Sequence, residues 1–351
     1  MAHESTNLKL DLNPPIVIAG AGGFIGFNLV RYFHDRGRTK IRAVIHSELP
    51  AWCERLPGVE YVHLDLRKEG ECYAACKGAA EVYNLACDVG GMNFMSSCHV
   101  ESMRSVLINT HLVEAAWRCG VERYFFASSA CVYDTHSVVA GGALPEANCY
   151  PANPERGYGW ERLYSEIMCQ EYWRERGLKT FIARFNNVYG PYCRFSGQKA
   201  RVIPALCNQV IHALNAGHNT IQVWGTGEQS RAFLHVSDCV RAIDQLTHSD
   251  ACVATPVNFS SDRQTSINEL ISVVEEVCGH KLIREYDLRE VAGVRSRAIS
   301  CDLAKNTLGW IPKVELELGV REAFDWVRQV TSLTHDTPAT PSPAPRWLGV
   351  T

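Results

Sequence analysis

Ile16-Val17-Ile18-Ala19-Gly20-Ala21-Gly22-Gly23-Phe24-Ile25-Gly26 is the stretch that decides the fold of this 351-residue chain. Four apolar residues in a row read as a buried strand. Glycines follow at once with Gly-x-x-Gly-x-x-Gly spacing, and a helical period then runs from Phe24 to Arg36 and stops at Gly37. Ile41 to Ile45 is the next apolar run. A strand, a glycine turn, a helix and a second strand within about thirty residues make a βαβ unit. Gly20 permits the tight turn, Gly23 lets backbone approach a pyrophosphate at the helix N-terminus, and Gly26 lets helix and strand pack closely. Phe24 and Ile25 lie in the first helical turn beside them. The stretch therefore predicts a dinucleotide site. The plain alternative, a structural glycine turn, is weakened by the strand before it and the helix after it.

The alternation continues outward. Val59 to Leu64 and Glu81 to Leu85 read as strands, Val106 to Arg118 as a helix, Arg123 to Ala127 as a strand, Gly157 to Arg176 as a helix and Thr180 to Phe185 as a strand. Such alternation predicts an α/β fold, a Rossmann-type doubly wound parallel sheet with helices on both faces. After Gly190 the texture changes to glycines and short elements, with a strand near Ile221 to Trp224, a helix near Asp238 to Thr247, and Ser266-Ile267-Asn268-Glu269 as a capping box opening a helix to Cys278. The expected organisation is a flexible leader over 1–14, an NAD(P)-binding domain over 15–190, a smaller C-terminal α/β substrate-binding lobe over 191–330 that partly interleaves with it, and a Pro-rich tail over 331–351.

Composition excludes several classes. The net charge of −3 gives no nucleic-acid footprint. The 13 histidines show no metal-ligand spacing, so no metal is expected. None of the 15 cysteines forms Cys-x-x-Cys, so zinc ribbons and thioredoxin-type centres are not expected and most thiols read as small core residues. The first twelve residues lack an apolar signal core, and no stretch approaches a membrane span. A cytoplasmic protein with reduced thiols, bound to neither membrane nor nucleic acid, is the expectation.

The cofactor end carries mixed signals. A carboxylate ending the second strand would bond the adenosine ribose of NAD, but this strand ends Val44-Ile45-His46-Ser47, with no arginine for a 2′-phosphate either. NAD is expected, with NADP left open. Asp65, before Leu66, is read either as an adenine contact or as a helix N-cap. Asn84-Leu85-Ala86 places a small-residue turn where Leu85 and Ala86 can offer backbone to the cofactor.

Gly20 to Gly26, Asn84-Leu85-Ala86, Ser128-Ser129 and Tyr158 together resemble the extended short-chain dehydrogenase/reductase family over roughly residues 15–330. Within it the chain is similar to the GDP-mannose 3,5-epimerase branch, on Gly90-Gly91-Met92 after Asp88, Ala127-Ser128-Ser129-Ala130-Cys131-Val132-Tyr133, Arg184-Phe185-Asn186-Asn187-Val188-Tyr189-Gly190-Pro191, Trp224-Gly225 with Gln229 and Arg231, and Gly293-Val294-Arg295-Ser296-Arg297. The resemblance implies a nucleotide-sugar epimerase, with a GDP-hexose as substrate. Tyr158 would take the proton from a sugar hydroxyl while hydride leaves carbon for the nicotinamide, and Ser129 would bond the reacting oxygen. The family has a lysine four residues after the tyrosine, to lower its pKa and hold the nicotinamide ribose; here that residue is Arg162, which keeps the charge but cannot give up its proton. Cys131 corresponds to one of two acid/base groups, a thiol suiting proton exchange near neutrality; the plain alternative is an inert thiol. The second group falls on Lys199, or on Arg201, because the loop is one residue longer than its counterpart. Gly90, Gly91, Met92, Asn187, Arg231 and Arg297 would face the substrate, the arginines serving its diphosphate. A homodimer through Val106–Arg118 and Gly157–Arg176 is also implied. Alternatives are a 4-epimerase or dehydratase, and a non-catalytic homologue that binds nucleotide sugar or NAD.

Overall fold

The computed structural model describes residues 14–134, 142–288 and 298–334. Its strands are β1 Ile16–Ala19, β2 Ile41–Ile45, β3 Val59–His63, β4 Glu81–Asn84, β5 Arg123–Ser129, β6 Lys179–Phe185, β7 Val188–Tyr189, β8 Thr220–Trp224, β9 Ser230–Ala232, β10 Leu234–His235, β11 Pro256–Phe259, β12 Gln264–Ser266 and β13 Ile283–Asp287. Its helices are α1 Phe24–Asp35, α2 Glu69–Cys76, α3 Met92–Ser97, α4 His99–Met103, α5 Ser105–Arg118, α6 Tyr158–Arg176, α7 Val202–Asn215, α8 Val236–Thr247, α9 Ile267–Cys278, α10 Asp302–Leu308 and α11 Leu316–Thr334.

Seven strands form one sheet in the order β11-β6-β5-β4-β1-β2-β3, every pairing parallel. Side chains alternate across β1. Ile16 and Ile18 join a core with Phe33 of α1 and Ile243 of α8, while Val17 and Ala19 join one with Cys72 of α2 and Leu112 of α5. The doubly wound sheet expected from the alternation is thus present, and the strands read from sequence match to within two residues at each end. Helices α2, α3, α4, α7, α10 and α11 have no counterpart in the sequence reading. The capping box is formed: Ser266 Oγ accepts from Glu269 N at 3.1 Å, and Ser266 N donates to Glu269 Oε2 at 2.7 Å.

Beyond Gly190 the chain builds a second core from α7, α9, α11 and β8, around Ile203, Val223, Leu270 and Val327. It does not keep to that core: α8 packs on the main sheet, and β11 pairs with β6 as its outermost strand. Among the described residues no helix is long and apolar enough to cross a membrane. No group of three or more metal-ligating side chains occurs there. The cysteines are free thiols, about half of them buried.

At the N-terminal end of the central strands, opposite the glycine turn, His248 follows α8 and lies 2.9 Å from Asp244 and 3.4 Å from Glu81 at the start of β4. The hydrogen bonds to Asp244 and Glu81 raise its pKa from 6.5 to about 10. Burial works against the charge of Glu81, but hydrogen bonds from His248 and Tyr83 hold it at about 2. A raised imidazolium pKa contributes stability in full below 6.5 and loses it as pH rises through about 10. Thermal melts should therefore show His248→Gln clearly less stable than the unaltered chain at pH 6, with the gap closing by pH 10. A gap independent of pH would mean that the ion pairs contribute nothing.

Candidate active site

The site is built where the C-terminal ends of β1, β4, β5 and β6 meet the loops before α6 and α7. Gly20 has φ +80°, and a Cβ there would lie 2.8 Å from the backbone of Leu85 and Ala86. A side chain on Gly26 would collide with the carbonyl of Gly20, and one on Gly23 would come within 3.2 Å of it. Gly23 caps α1 without a side-chain hydrogen bond, and the first-turn amides of Phe24, Ile25 and Gly26 have no acceptor within the helix. This is a cradle for an anion, and it fits the pyrophosphate of a dinucleotide. His46 is exposed just past β2, 3.3 Å from Arg67 Nη2. An arginine thus does reach the end of the second strand, from a place in sequence where the local pattern did not show it. It is not free: Nε and Nη2 of Arg67 donate to Asp65 at 2.7 and 2.9 Å, which holds that carboxyl at about 2. Asp65 is therefore occupied by Arg67 and does not cap α2, whose N-cap is Lys68. Leu66 is buried beside it.

Tyr158 opens α6, after Gly157 with φ +76°, and is buried. Burial pushes its phenol well above the usual value, with Arg162 pulling the other way. The guanidinium of Arg162 lies 5.0 Å from the Tyr158 ring centre and 5.1 Å from that of Phe126. Arg162 is only 2% exposed, and it pairs with Glu161 at 2.6 Å.

Cys131 follows β5. Its amide donates to Ser129 Oγ at 3.2 Å, and its carbonyl accepts from Glu155 N at 3.0 Å. Gly159 of α6 presses on that same carbonyl, where any side chain would collide. The backbone contact brings the Cys131 segment to the start of the helix that carries Tyr158. On the other side, Gly90 and Gly91 fulfil a comparable need. A Cβ on Gly90 would lie 3.0 Å from Lys199 Cα, and one on Gly91 would collide with the carbonyl of Ala200. Lys199 forms an ion pair with Asp88 and lies 4.6 Å from the Phe94 ring centre. Lys199 sits on the Gly90-Gly91 turn, and Arg201 is the N-cap residue of α7. Arg201 comes close enough to pull down the thiol of Cys87, which burial pushes up.

The substrate-facing candidates are less tightly gathered. Asn187 has φ +34°, and its side-chain amide donates to Asn186 Oδ1 at 2.8 Å and to the Ala232 carbonyl at 3.1 Å, pinning the turn before β7 to the end of β9. Arg231 lies on β9 and donates to the Ser230 carbonyl at 2.7 Å. Met92 begins α3, its side chain undescribed, and Arg297 lies outside the described residues. Sequence reasoning missed Asp88 as the partner of Lys199, and Asn109 and Ser165 as the residues that hold Glu161 against Arg162. A carboxylate next to the arginine at the lysine position was the one visible signal.

The profile of the NAD dependent epimerase/dehydratase family matches residues 16–257. The GDP-mannose 3,5-epimerase of Arabidopsis thaliana is 32% identical over 332 residues, 93% of this chain and 83% of that protein. GDP-L-fucose synthase 1 of the same plant is 28% identical, over 90% of this chain and 94% of that protein. Among solved structures, UDP-glucose 4-epimerase of Thermotoga maritima with UDP-glucose superposes with a TM-score of 0.81 at 23% identity, covering 90% of this chain and 99% of that one. MoeE5 in complex with UDP-glucose and NAD gives 0.76 at 27% identity, with the same coverage.

Gly20→Ala should test the cradle. With a positive φ and backbone on three sides, the methyl group should lower stability by about 2 kcal/mol or more and weaken NAD binding at least tenfold, measured by thermal melting and isothermal titration. Unchanged binding would place the dinucleotide elsewhere.

Proposed function

The chain belongs to the NAD dependent epimerase/dehydratase family, and from that membership we propose that it epimerises GDP-mannose at C3 and C5 through a transient 4-keto sugar. The observation that carries this reading is the wedge of Gly159 against the Cys131 carbonyl, which sets a thiol-bearing segment beside Tyr158. The similarity to GDP-mannose 3,5-epimerases supports it.

The Gly20–Gly26 cradle and Arg162 would hold NAD, which when bound would accept hydride from C4 and return it. Tyr158 takes the O4 proton, favoured as phenolate by the Arg162 charge against the cost of burial. The Ser129 hydroxyl bonds O4. Once C4 is a carbonyl, the protons at C3 and C5 are acidic because the carbanion charge spreads onto O4, where fixed donors stabilise it. Cys131 removes and returns a proton on one face of the ring, and Lys199, tethered by Asp88, does so on the other. The family resemblance assigns Arg231 and Arg297 to the diphosphate, and Asn187, Gly90, Gly91 and Met92 to the sugar.

Incubation with GDP-mannose in D2O, followed by mass analysis of the sugar, should show deuterium uptake without loss of water. Cys131→Ser should reduce that uptake by about a hundredfold or more. Conversion without deuterium would point to a 4-epimerase and remove the role of Cys131; no conversion of any nucleotide hexose would leave a binding protein.

The same reading includes a homodimer. Trp160, Tyr164 and Ile167 form an exposed stripe at i, i+4 and i+7 on α6, beside Val100 and Met103 of α4 and Leu107 of α5. An apolar face of this kind marks an association surface. Sedimentation should give a dimer for the unaltered chain and a monomer for Trp160→Glu/Tyr164→Glu; a monomeric unaltered chain at micromolar concentration would refute it.

A further inference from the structure

We infer that Glu161 is a positioning residue for the cofactor: it locks the Arg162 guanidinium so that a single donor, Nη2, is left for the nicotinamide ribose. This rests on the reading above only in taking Arg162 to face the cofactor.

Neighbouring residues on a helix do not face each other, yet Glu161 and Arg162 pair at 2.6 Å with 4% and 2% exposure. Both side chains are turned into the interior between α6 and the sheet. A buried ion pair adds little net stability, because desolvation consumes most of its attraction. What it supplies is fixed geometry. Nε of Arg162 donates to Glu161 Oε2, and Nη1 donates to the Ala127 carbonyl at 2.8 Å. Nη2 is buried and meets no acceptor among the described residues. An arginine with two of its three nitrogens engaged and the third unpartnered is a directed donor, since an orphaned buried N–H is costly and calls for a partner.

Glu161 is itself held. Its Oε1 accepts from Asn109 Nδ2 and from Ser165 Oγ at 3.2 Å. Asn109 Oδ1 accepts from Asn84 Nδ2 at 2.9 Å, and Asn84 Oδ1 accepts from the amide of Ala86 at 3.2 Å. Ala86 is the residue against which Gly20 packs. One hydrogen-bonded chain therefore runs from the cradle, through Asn84, Asn109 and Glu161, to Arg162. A lysine ammonium makes its bonds in any direction; a planar guanidinium needs its plane set, and Glu161 sets it.

The test is a double-mutant cycle read as NAD affinity, by isothermal titration of the full chain stripped of bound nucleotide. No sugar is involved, so the inference and the epimerase reading can fail separately. Glu161→Gln keeps size and removes charge, and should weaken NAD about tenfold or more. In an Arg162→Ala background, the same change should cost no further affinity and should raise the melting temperature, because it removes a carboxylate left buried without its partner. Full additivity of the two affinity losses, or unaltered affinity in Glu161→Gln, would overturn the role; a purely structural Glu161 would move only the melting temperature. Should Glu161→Gln not fold, Ser165→Ala removes one bond to Glu161. A loss of about threefold in affinity would then uphold the inference, and an unchanged affinity would overturn it.

Discussion

Gly20 on Ala86, Gly91 on Ala200 and Gly159 on Cys131 bring backbone against backbone with no room for a Cβ. Each joins segments distant in sequence, and together they draw the ends of β1, β4 and β5, the start of α6 and the loop before α7 around one opening. Side chains could not make these junctions, since any atom beyond Cα would separate the segments. The positions of Tyr158, Cys131 and Lys199 follow from them.

What a local sequence window reveals depends on whether the constraint is local. The βαβ unit was legible because apolar alternation and glycine spacing report burial and turn geometry within a dozen residues. The Ser266 capping box was legible for the same reason. Helix α7 was not, because glycine-rich flanks obscured its period. The surroundings of Arg162 were not, because Asn84, Asn109 and Glu161 meet only once three separate elements pack. Arg67 at the end of β2 was hidden likewise: it arrives from beyond β3. The Gly90-Gly91 pair stood out as a motif, while its physical purpose, a seat for the Lys199 loop, is a contact across more than a hundred residues.

The buried charges separate into two kinds. Arg184 and Glu166 satisfy each other and their neighbours fully: Arg184 Nη2 reaches Glu166 at 2.6 Å, Nη1 reaches the Tyr133 hydroxyl at 3.0 Å, and Ser128 donates to Glu166. That pair holds the ends of β5 and β6 in register. Arg162 and Glu161 form the less complete arrangement, with Nη2 of Arg162 buried and unpartnered among the described residues. A closed network stabilises a scaffold, and an open one awaits a ligand.

The outermost strand of the main sheet, β11, comes from late in the chain and lies against β6. A ribosome delivers it only after the whole of α7 and the strands that follow have emerged. Until then β6 is an unprotected sheet edge, open to pairing with other chains. Folding of the dinucleotide-binding half must therefore wait for part of the other half, and a boundary drawn at Gly190 separates texture in the sequence without separating two units that could each be made alone.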